Sequence, residues 1–232
     1  MNSSLSAPVY VIIPAHNEEK AIGKVIREIP SIVKEIVVVN NASHDATAQV
    51  AREAGATVLN EPTPGYGRAC LKGISYLQKT APQRSIVVFL DGDHSDYPEE
   101  LVSLVQPIWE EQADLVIGSR ALGRKEKGSM TPQQIVGNWL ATRLLLLLYR
   151  VRFTDLGPFR AIRLDKLLQL QMCDTTYGWT VEMQLKAAKK GLHCLEVPVR
   201  YRKRIGISKI SGTVKGTVLA GYKIITTIFK YY

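Results

Sequence analysis

Cysteine is scarce in this chain of 232 residues, which contains only Cys70, Cys173 and Cys194. The three lie far apart, with no CxxC pair and no histidine cluster nearby. This spacing argues against a disulfide framework and against a zinc site. We therefore expect three free, buried thiols in a protein of a reducing compartment.

Long hydrophobic runs are also missing, and we expect no secretory signal peptide at the N-terminus. No stretch approaches the ~20 uninterrupted apolar residues that a transmembrane helix needs. Residues 1–8 lack the basic start and the apolar core of a secretory signal peptide. We therefore expect a cytoplasmic protein, with peripheral contact to the cytoplasmic face of the membrane as the one membrane role left open.

Acidic residues are absent from residues 200–232, although the same stretch is rich in lysine and arginine and the whole chain has a net charge of +9. A basic block of this kind attracts phosphate-rich partners: nucleic acid, anionic lipid headgroups or a phosphorylated substrate. A solvated basic tail explains the charge equally well.

The first half of the chain alternates short β-branched runs with helical patterns. Strands are predicted over 9–13, 35–39, 56–59, 86–90 and 115–117, with helices over about 18–29, 45–54, 67–79 and 98–110. Strands that are apolar on both faces and separated by helices indicate a parallel sheet covered on both sides. With 46% hydrophobic residues, the chain can bury such a sheet in one α/β domain.

The second half has a different pattern. Helices are predicted over 133–150, 179–190 and 213–230, an edge strand near 159–163, and a further strand over 193–201. The leucine run at 144–148 suits either a buried core or contact with a membrane.

Two carboxylates, Asp91 and Asp93, directly follow the predicted strand over 86–90. Gly92 between them permits a bend that turns both side chains toward the crevice beyond the sheet. Paired carboxylate oxygens suit a hard divalent cation, Mg²⁺ or Mn²⁺, which keeps several waters and shares substrate phosphates. Two aspartates in a surface turn are the simpler alternative.

Polar residues also follow the first two predicted strands. Residues 14–18 end the first strand where a helix begins, which offers main-chain N–H groups and the Glu18 carboxylate to a ribose or base. After the second strand, Asn41 or Asp45 is placed to bond a base edge. Helix capping is an equally good interpretation of Asp45.

A glycine-containing turn, residues 65–69, follows the third predicted strand. Its glycines allow close approach of a ligand to the backbone, and Arg68 is a candidate for a phosphate contact. Ligands of open α/β sheets bind beyond the carboxyl ends of the strands, where all these motifs are predicted to lie.

In this order the motifs resemble those of the inverting family-2 glycosyltransferases with a GT-A fold, over roughly residues 8–210. The matching segments are Ile-Ile-Pro-Ala-His-Asn-Glu at 12–18, Asn-Asn-Ala-Ser-His-Asp-Ala-Thr at 40–47, Gly-Tyr-Gly-Arg-Ala at 65–69, Asp-Gly-Asp at 91–93 and Gly-Ser-Arg at 118–120. Segments 154–160, 179–183 and 200–209 make the chain similar to dolichol-phosphate mannosyltransferases and bacterial polyprenyl-phosphate glycosyltransferases.

The resemblance implies one GT-A domain over 1–232, a Rossmann-like, mostly parallel α/β sheet flanked by helices. Its nucleotide-sugar half spans about 8–120, and a basic, helical acceptor half spans about 121–232. The implied donor-binding residues are Pro14, Ala15, Asn17, Glu18, Asn41, Gly67, Arg68, Asp91, Gly92 and Asp93. Asp91 and Asp93 would hold the metal ion.

The implied catalytic residues are Asp155, Asp93 and Arg120, and the implied acceptor-phosphate residues are Arg160, Arg202 and Lys209. Two departures from the family pattern leave details open. The chain has Asn-Asn-Ala-Ser at 40–43 where the family usually has Asp-Asp-Gly-Ser, which leaves base recognition open. It has Gly-Pro-Phe-Arg at 157–160 in place of Ser-Gly-Phe-Arg, which leaves the shape of the acceptor loop open.

The expected reaction moves a hexose from GDP-mannose or UDP-glucose to a polyprenyl or dolichyl phosphate, with inversion at the anomeric carbon. An anionic phosphate acceptor needs no strong base, so Asp155 would only orient a substrate. A neutral soluble or glycan hydroxyl would require Asp155 as general base. Asp155 as a capping or salt-bridged residue is the structural alternative.

The basic C-terminal segment then gains a specific expected role, with Arg202, Arg204 and Lys209 at the acceptor phosphate. The helix over 213–230 would lie along the bilayer surface, with Ile224, Ile225, Ile228 and Phe229 toward the lipid.

Two other classes of protein fit the sequence less well. A sugar nucleotidyltransferase usually has a glycine-rich, basic loop after the first strand, where this chain has Pro-Ala-His-Asn-Glu. A nucleic-acid-binding protein would explain the charge but not the carboxylates at strand ends. We therefore expect no nucleic-acid partner.

Overall fold

Seven strands form one sheet in the computed structural model, which describes residues 7–206 and 214–232. They are β1 (Val9–Ala15), β2 (Val33–Asn41), β3 (Thr57–Glu61), β4 (Ile86–Phe89), β5 (Leu115–Ser119), β6 (Arg160–Arg163) and β7 (Cys194–Pro198). Their order is β3-β2-β1-β4-β6-β5-β7. All neighbours are parallel except the two antiparallel pairs that β6 makes with β4 and β5.

Helices cover both faces of this sheet. They are α1 (Ile22–Glu28), α2 (Thr47–Glu53), α3 (Tyr66–Thr80), α4 (Leu101–Trp109), α5 (Pro132–Tyr149), α6 (Leu164–Leu170), α7 (Trp179–Lys189) and α8 (Val214–Lys230), with a 3₁₀ turn (Pro98–Glu100) before α4. Side chains of α1, α2 and α4 pack on one face, and those of α3 and α5 to α8 pack on the other. The predicted mostly parallel α/β sheet is confirmed.

The central strand β1 shows why these residues form a sheet buried on both sides. Tyr10 and Ile12 belong to the buried cluster that contains Leu77 of α3, while Val11 belongs to the cluster on the other face, and all four side chains are buried. Gly73 lets α3 approach closely, because a Cβ there would lie 2.7 Å from Cγ2 of Ile12. Full burial of a side chain such as Ile12 contributes about 1.5–3 kcal/mol.

Two features of the fold, one in the sheet and one in the helical layer, differ from the sequence prediction. The strand predicted near 159–163 as an edge strand is β6, which lies inside the sheet between β4 and β5. Its Ala161 and Ile162 are fully buried because both neighbours and both helical layers cover them. Helix α6 was not predicted, since it starts directly after β6 without a turn signal.

The three cysteines are free, as predicted, but they are not all buried. Cys70 is buried and Cys194 is half-buried, whereas Cys173 is exposed. Cys173 lies in a polar loop, where its Sγ donates to Oε1 of Glu182 at 3.0 Å. The expectation of three buried thiols is therefore wrong for Cys173.

Helices α5 and α8 pack against each other and expose large apolar side chains. Those on α5 are Ile135, Val136, Trp139, Leu140, Leu146 and Leu147, and those on α8 are Val218, Leu219, Tyr222 and Phe229. Ile228 is instead fully buried and Ile224 packs on the core, so the prediction that they face lipid is wrong. Among the described residues, no helix is long and apolar enough to span a membrane.

Candidate active site

A first cavity, of about 300 Å³, lies at the carboxyl ends of β1, β2 and β4. β1 lies between β2 and β4, and the strand order changes direction there. In open α/β sheets, ligands bind beyond the carboxyl ends of the strands at this switch point. Predicted donor residues that line it are Pro14, Ala15, Glu18, Asn41, Asp91, Gly92 and Asp93. The other lining residues are His16, Pro64, Gly65, Tyr66, Tyr177 and Arg204.

Asn41 lines this first cavity, but its amide is already bonded to main chain. Its Nδ2 donates to the carbonyls of Glu61 (3.2 Å) and Thr63 (2.7 Å), and its Oδ1 accepts from the N–H of Gly65 at 2.8 Å. These bonds use both amide hydrogens. Asn41 therefore shapes the cavity wall, and its side chain has no free hydrogen to donate to a base edge.

Asn17 and Asp45 link the loops that follow β1 and β2. The Asn17 N–H donates to Oγ of Ser43 at 3.0 Å, and its Oδ1 accepts from the N–H of His44 at 2.8 Å. Oδ1 of Asp45 accepts from the N–H of Thr47 at 3.0 Å, at the start of α2. Asp45 thus satisfies a first-turn donor of the helix, as the capping alternative predicted, and Asn17 does not line the cavity.

The glycine turn at the start of α3 approaches protein, whereas the sequence predicted approach to a ligand. A Cβ on Gly67 would lie 2.1 Å from the carbonyl oxygen of Asp174, and one on Gly65 would lie 2.4 Å from that of Thr175. The Arg68 N–H donates to the same Thr175 oxygen at 3.1 Å, and its side chain is exposed. Gly67 and Arg68 therefore pack against the loop after α6, and they do not line the first cavity.

Asp91 and Asp93 lie side by side on the turn after β4, at the floor of the first cavity. Burial, and after it the negative charge of Asp93, raises the pKa of Asp91 to about 7, while the Tyr66 hydroxyl donates to its Oδ1 at 3.1 Å. Oδ1 of Asp93 accepts from the N–H and hydroxyl of Ser95, at 2.9 and 2.5 Å.

The bend that was predicted at Gly92 occurs two residues later. His94 takes the left-handed conformation, with φ +64°, whereas Gly92 has no positive φ. His94 is held by its Nε2, which lies 2.8 Å from Oε1 of Glu28. Gly92 instead packs beside Ile13 and Ala15, where a Cβ would make ordinary contacts.

The chemistry of this turn fits a hard divalent cation. The described residues contain no group of three or more His, Cys, Asp and Glu side chains that would hold a metal alone. Two carboxylates are nevertheless typical where substrate phosphates and water complete the coordination of Mg²⁺ or Mn²⁺. A positive group already neutralises this position, since the Arg204 guanidinium pairs with Oδ2 of Asp93.

Asp96 adds a third acidic group behind this pair. It is 1% exposed, and neither of its oxygens has a hydrogen-bond partner among the described residues. Burial first, and then the charges of Asp91 and Asp93, raises its pKa well above the ordinary range. A raised pKa favours the protonated, uncharged form of Asp96, so the charge of the turn rests mainly on Asp91 and Asp93.

A second cavity, of about 260 Å³, adjoins the first and lies between α5 and α8. Tyr66, Asp91, Tyr177 and Arg204 line both cavities. The wall on the α5 side includes Gln133, Gln134, Gly137 and Asn138, and that on the α8 side includes Ala220, Gly221 and Ile224. The remaining lining residues are Arg120, Met130, Leu156, Pro158, Thr180 and Tyr201.

Arg120 lines the second cavity and is held there by Asp155. Nε and NH2 of Arg120 donate to the two Asp155 oxygens at 2.8 and 2.7 Å, and the Arg120 N–H donates at 2.7 Å. Burial would raise the pKa of Asp155, but Arg120 outweighs it and holds that pKa below its usual range. Asp155 is fully buried in this pair, which agrees with the salt-bridged alternative and with an orienting role.

Arg160 and Arg202 are not placed to meet an acceptor phosphate. Arg160 is fully buried, where its guanidinium donates to the carbonyls of Gly157, Leu156 and Thr180, and burial lowers its pKa to about 10. The sequence assignment of Arg160 is therefore wrong, since a group that fixes the loop at 156–158 has no open side.

Arg202 donates from NH2 to Oε2 of Glu28 at 2.6 Å and from Nε to the carbonyl of His94 at 2.8 Å. It packs over the ring of Tyr97 and lines neither cavity. The arginine two residues on, Arg204, lines both. Of the two arginines that the sequence placed at the acceptor phosphate in this segment, Arg204 therefore lines the cavities and Arg202 does not. Lys209 lies outside the described residues.

Sequence reasoning also missed several residues that build the site. Tyr66 lay within a quoted motif but was given no role, and Tyr177 carries no motif at all. Asn138 fixes the loop before β6, because its Oδ1 accepts from the Leu156 N–H (2.8 Å) and its Nδ2 donates to the Thr154 carbonyl (3.0 Å). No sequence signal distinguished Asn138, since α5 also contains Gln133, Gln134, Thr142 and Arg143.

Comparisons with known proteins agree with this architecture. The family model described as glycosyl transferase family 2 matches residues 10–170. An uncharacterized glycosyltransferase of Mycobacterium tuberculosis is 36% identical over 91% of this chain and 94% of its own length. A dolichyl-phosphate hexose transferase of Haloferax volcanii is 31% identical over 90% of this chain and 89% of its own.

Among solved structures, a glucosyl-3-phosphoglycerate synthase from Mycobacterium tuberculosis, in complex with Mn²⁺, UDP and phosphoglyceric acid, has the same fold. Its TM-score is 0.76, with 22% identity, and the match covers 97% of this chain and 78% of that one.

Proposed function

Because the chain belongs to glycosyl transferase family 2, we propose that it moves a hexose from a nucleotide sugar to a lipid phosphate of the polyprenyl or dolichyl type. The proposal depends on one observation above others. The second cavity contains two arginines, Arg120 and Arg204, and Asp91 is the one carboxylate among its described lining residues. Such a cavity suits an acceptor that is already anionic.

The first cavity is the proposed donor site. Its loops after β1 and β2 would hold the nucleoside, and the Asp91–Asp93 turn would face the diphosphate. Mg²⁺ or Mn²⁺ held by Asp91 and Asp93 would neutralise the departing nucleoside diphosphate, as a Lewis acid. The related fold that was solved with Mn²⁺ and UDP supports this use of the cavity.

The second cavity is the proposed acceptor site. A phosphate oxygen held by Arg120 and Arg204 would attack the anomeric carbon and form the new C–O bond. The bond from that carbon to the diphosphate breaks at the same time, and the leaving nucleoside diphosphate takes the electron pair. Asp155 would keep Arg120 in position and would take no proton, since its oxygens are occupied by Arg120. A single displacement inverts the anomeric centre.

The walls of the second cavity favour a lipid acceptor. Helices α5 and α8 each contribute some residues to the wall of this cavity and expose other, large apolar side chains to solvent. On α5, Val136 is 61% exposed and Leu147 is 76% exposed. Exposed apolar patches of this kind mark membrane or protein contacts. The name of the Haloferax relative, a dolichyl-phosphate hexose transferase, supports a lipid phosphate. We accordingly propose peripheral attachment to the membrane through these two helices.

A soluble phosphorylated acceptor is the second candidate. The same two arginines would hold its phosphate, and the structural neighbour was solved with phosphoglyceric acid. In this case an attacking hydroxyl would need a base, and Asp155 is not free to act as one. The lipid phosphate therefore agrees better with the second cavity.

The test is an assay with Mn²⁺ and radiolabelled GDP-mannose or UDP-glucose, each with undecaprenyl phosphate, dolichyl phosphate, phosphoglycerate or no acceptor. We expect label in the organic phase with a polyprenyl phosphate. Label that stays with phosphoglycerate would favour the soluble acceptor instead. No consumption of either donor under any condition would contradict the assignment to these donors.

A further inference from the structure

The guanidinium of Arg204 pairs with a carboxylate that the proposed donor site assigns to the metal ion. It pairs with Oδ2 of Asp93 and lies in the wall that the two cavities share. The Arg204 side chain is 26% exposed and that of Asp93 is 6% exposed, so the pair is largely removed from water. A contact of this kind is stronger than one on the surface.

The main chain on both sides of Arg204 is fixed to the same turn. The Arg202 N–H donates to the carbonyl of Ser95 at 2.9 Å, and the Ile205 N–H donates to that of Asp93, also at 2.9 Å. Arg202 adds its bonds to Glu28 and His94. The backbone is thus pinned, and movement of Arg204 would be confined to its own side chain within the cavities.

The acidic turn explains why a cation belongs there. Asp91 and Asp93 are adjacent carboxylates, with the buried Asp96 behind them. Like charges so close need a positive neighbour to remain ionised together. Arg204 supplies one charge without a ligand, and a divalent cation would supply two at the same oxygens. The two cations would repel each other, so they compete for Asp93.

We infer that Arg204 is a tethered counter-cation. Its guanidinium pairs with Asp93 until the nucleotide sugar arrives with its metal ion, and it then turns to the donor diphosphate, beside the acceptor phosphate. This inference rests on the proposed donor site. It predicts that the metal alone binds weakly, and that metal and nucleoside diphosphate bind together. Arg204 thereby sets the order in which the metal ion and the nucleotide bind.

The test measures Mn²⁺ binding to the donor-free protein, by the EPR signal of free Mn²⁺. We expect Arg204→Gln to bind Mn²⁺ roughly tenfold more tightly than wild type, a change typical of coupling between two ligands. Lys203→Gln is the matched control, because it removes the same charge from the exposed neighbour and should leave Mn²⁺ affinity unchanged. Circular dichroism would establish that each variant is folded.

A second measurement locates the effect. The double variant Arg204→Gln with Asp93→Asn should lose the gain in Mn²⁺ affinity. With Mn²⁺ saturating, Arg204→Gln should bind UDP or GDP more weakly than wild type does, since the phosphates lose a partner. Equal or weaker Mn²⁺ binding by folded Arg204→Gln would overturn the inference. An absence of sugar transfer by wild type would refute the proposed function without altering this affinity result.

Discussion

The two cavities are built by different means. The walls of the first come from loops at strand ends that are held by bonds between side chains and main chain, as at Asn41 and at the Asp93–Ser95 turn. The second depends on α8, which is held by contacts between side chains: Tyr231 Oη to Glu182 at 2.8 Å, just after the helix, and Lys223 to Asp174 at 3.0 Å. Donor binding should therefore be preorganised, whereas the acceptor site should respond to how firmly α8 is docked.

The largest expected effect lies on the donor side. Asp93→Asn removes a charge that would hold the metal ion and diphosphate, so transfer should fall by about 1000-fold, since Lewis-acid stabilisation is worth several kcal/mol. Transfer of labelled hexose measures it. Asp165→Asn, on α6 and paired with Arg163, is the control that should keep full activity. A fall in hexose transfer of less than tenfold would mean that Asp93 does not hold the metal ion of the donor.

Breaking the Arg120–Asp155 pair should harm the acceptor cavity and the stability of the fold together. Asp155→Asn leaves Arg120 buried without its carboxylate, which should lower the free energy of unfolding by about 3 kcal/mol. UDP or GDP affinity should stay within about twofold, because neither residue lines the first cavity. Urea unfolding and nucleotide titration measure the two effects.

The pH dependence of the same pair has a defined sign. The pKa of Asp155 is lowered in the folded protein, so its contribution to stability is present above the ordinary value of 3.8. That contribution is lost as pH falls through the lowered folded pKa. Asp155→Asn should therefore unfold with a weaker acid dependence than wild type, and parallel pH profiles would contradict the pairing.

Glu182 connects α7 to the C-terminal end of α8. It is fully buried and accepts from Tyr231, Lys186 and the N–H groups of Cys173 and Asp174, which with its other partners lower its pKa to about 2 in spite of burial. Glu182→Gln should cost about 2 kcal/mol, since an amide cannot accept all these bonds.

The Glu182→Gln variant should affect the two cavities differently. We expect a raised KM for the acceptor and an unchanged KM for the donor, with exposed Glu53→Gln as the control. The stabilisation from Glu182 should be complete above about pH 4.5 and should be lost as the pH falls toward 2. An equal rise in both KM values would mean that α8 supports the whole active site.

The smallest expected change concerns the exposed face of α5. Val136→Asp or Leu147→Asp should weaken binding to vesicles roughly tenfold, because attachment scales with buried apolar area. Unfolding should hardly change, since both side chains are exposed. Val102→Asp is matched in chemistry but lies on α4, on the other face of the sheet, and should bind vesicles like wild type. Vesicle sedimentation distinguishes these outcomes.

The sequence predicted local features better than distant ones. Periodicity located the first five strands and motifs located the first cavity, because each depends on neighbours in the chain. The burial of Arg160 depends on the carbonyl of Thr180, twenty residues later, which no local pattern encodes. Likewise, the choice between Arg202 and Arg204 depends on how their segment lies along the Asp93–Ser95 turn.

The reversed direction of β6 has a consequence for which parts of the chain can change in length. Ile117 of β5 pairs with Arg160 of β6, so the intervening segment leaves and re-enters the sheet at one point. Most of this segment is committed to the fold, because Leu145 and Phe153 are buried in the core and the Thr154 N–H donates to Glu196 of β7. The exposed turn at 127–128 is the exception, and an insertion there should cost little, since loop-closure entropy grows slowly. We therefore expect the acceptor side to tolerate added length at this turn while the first cavity keeps its shape.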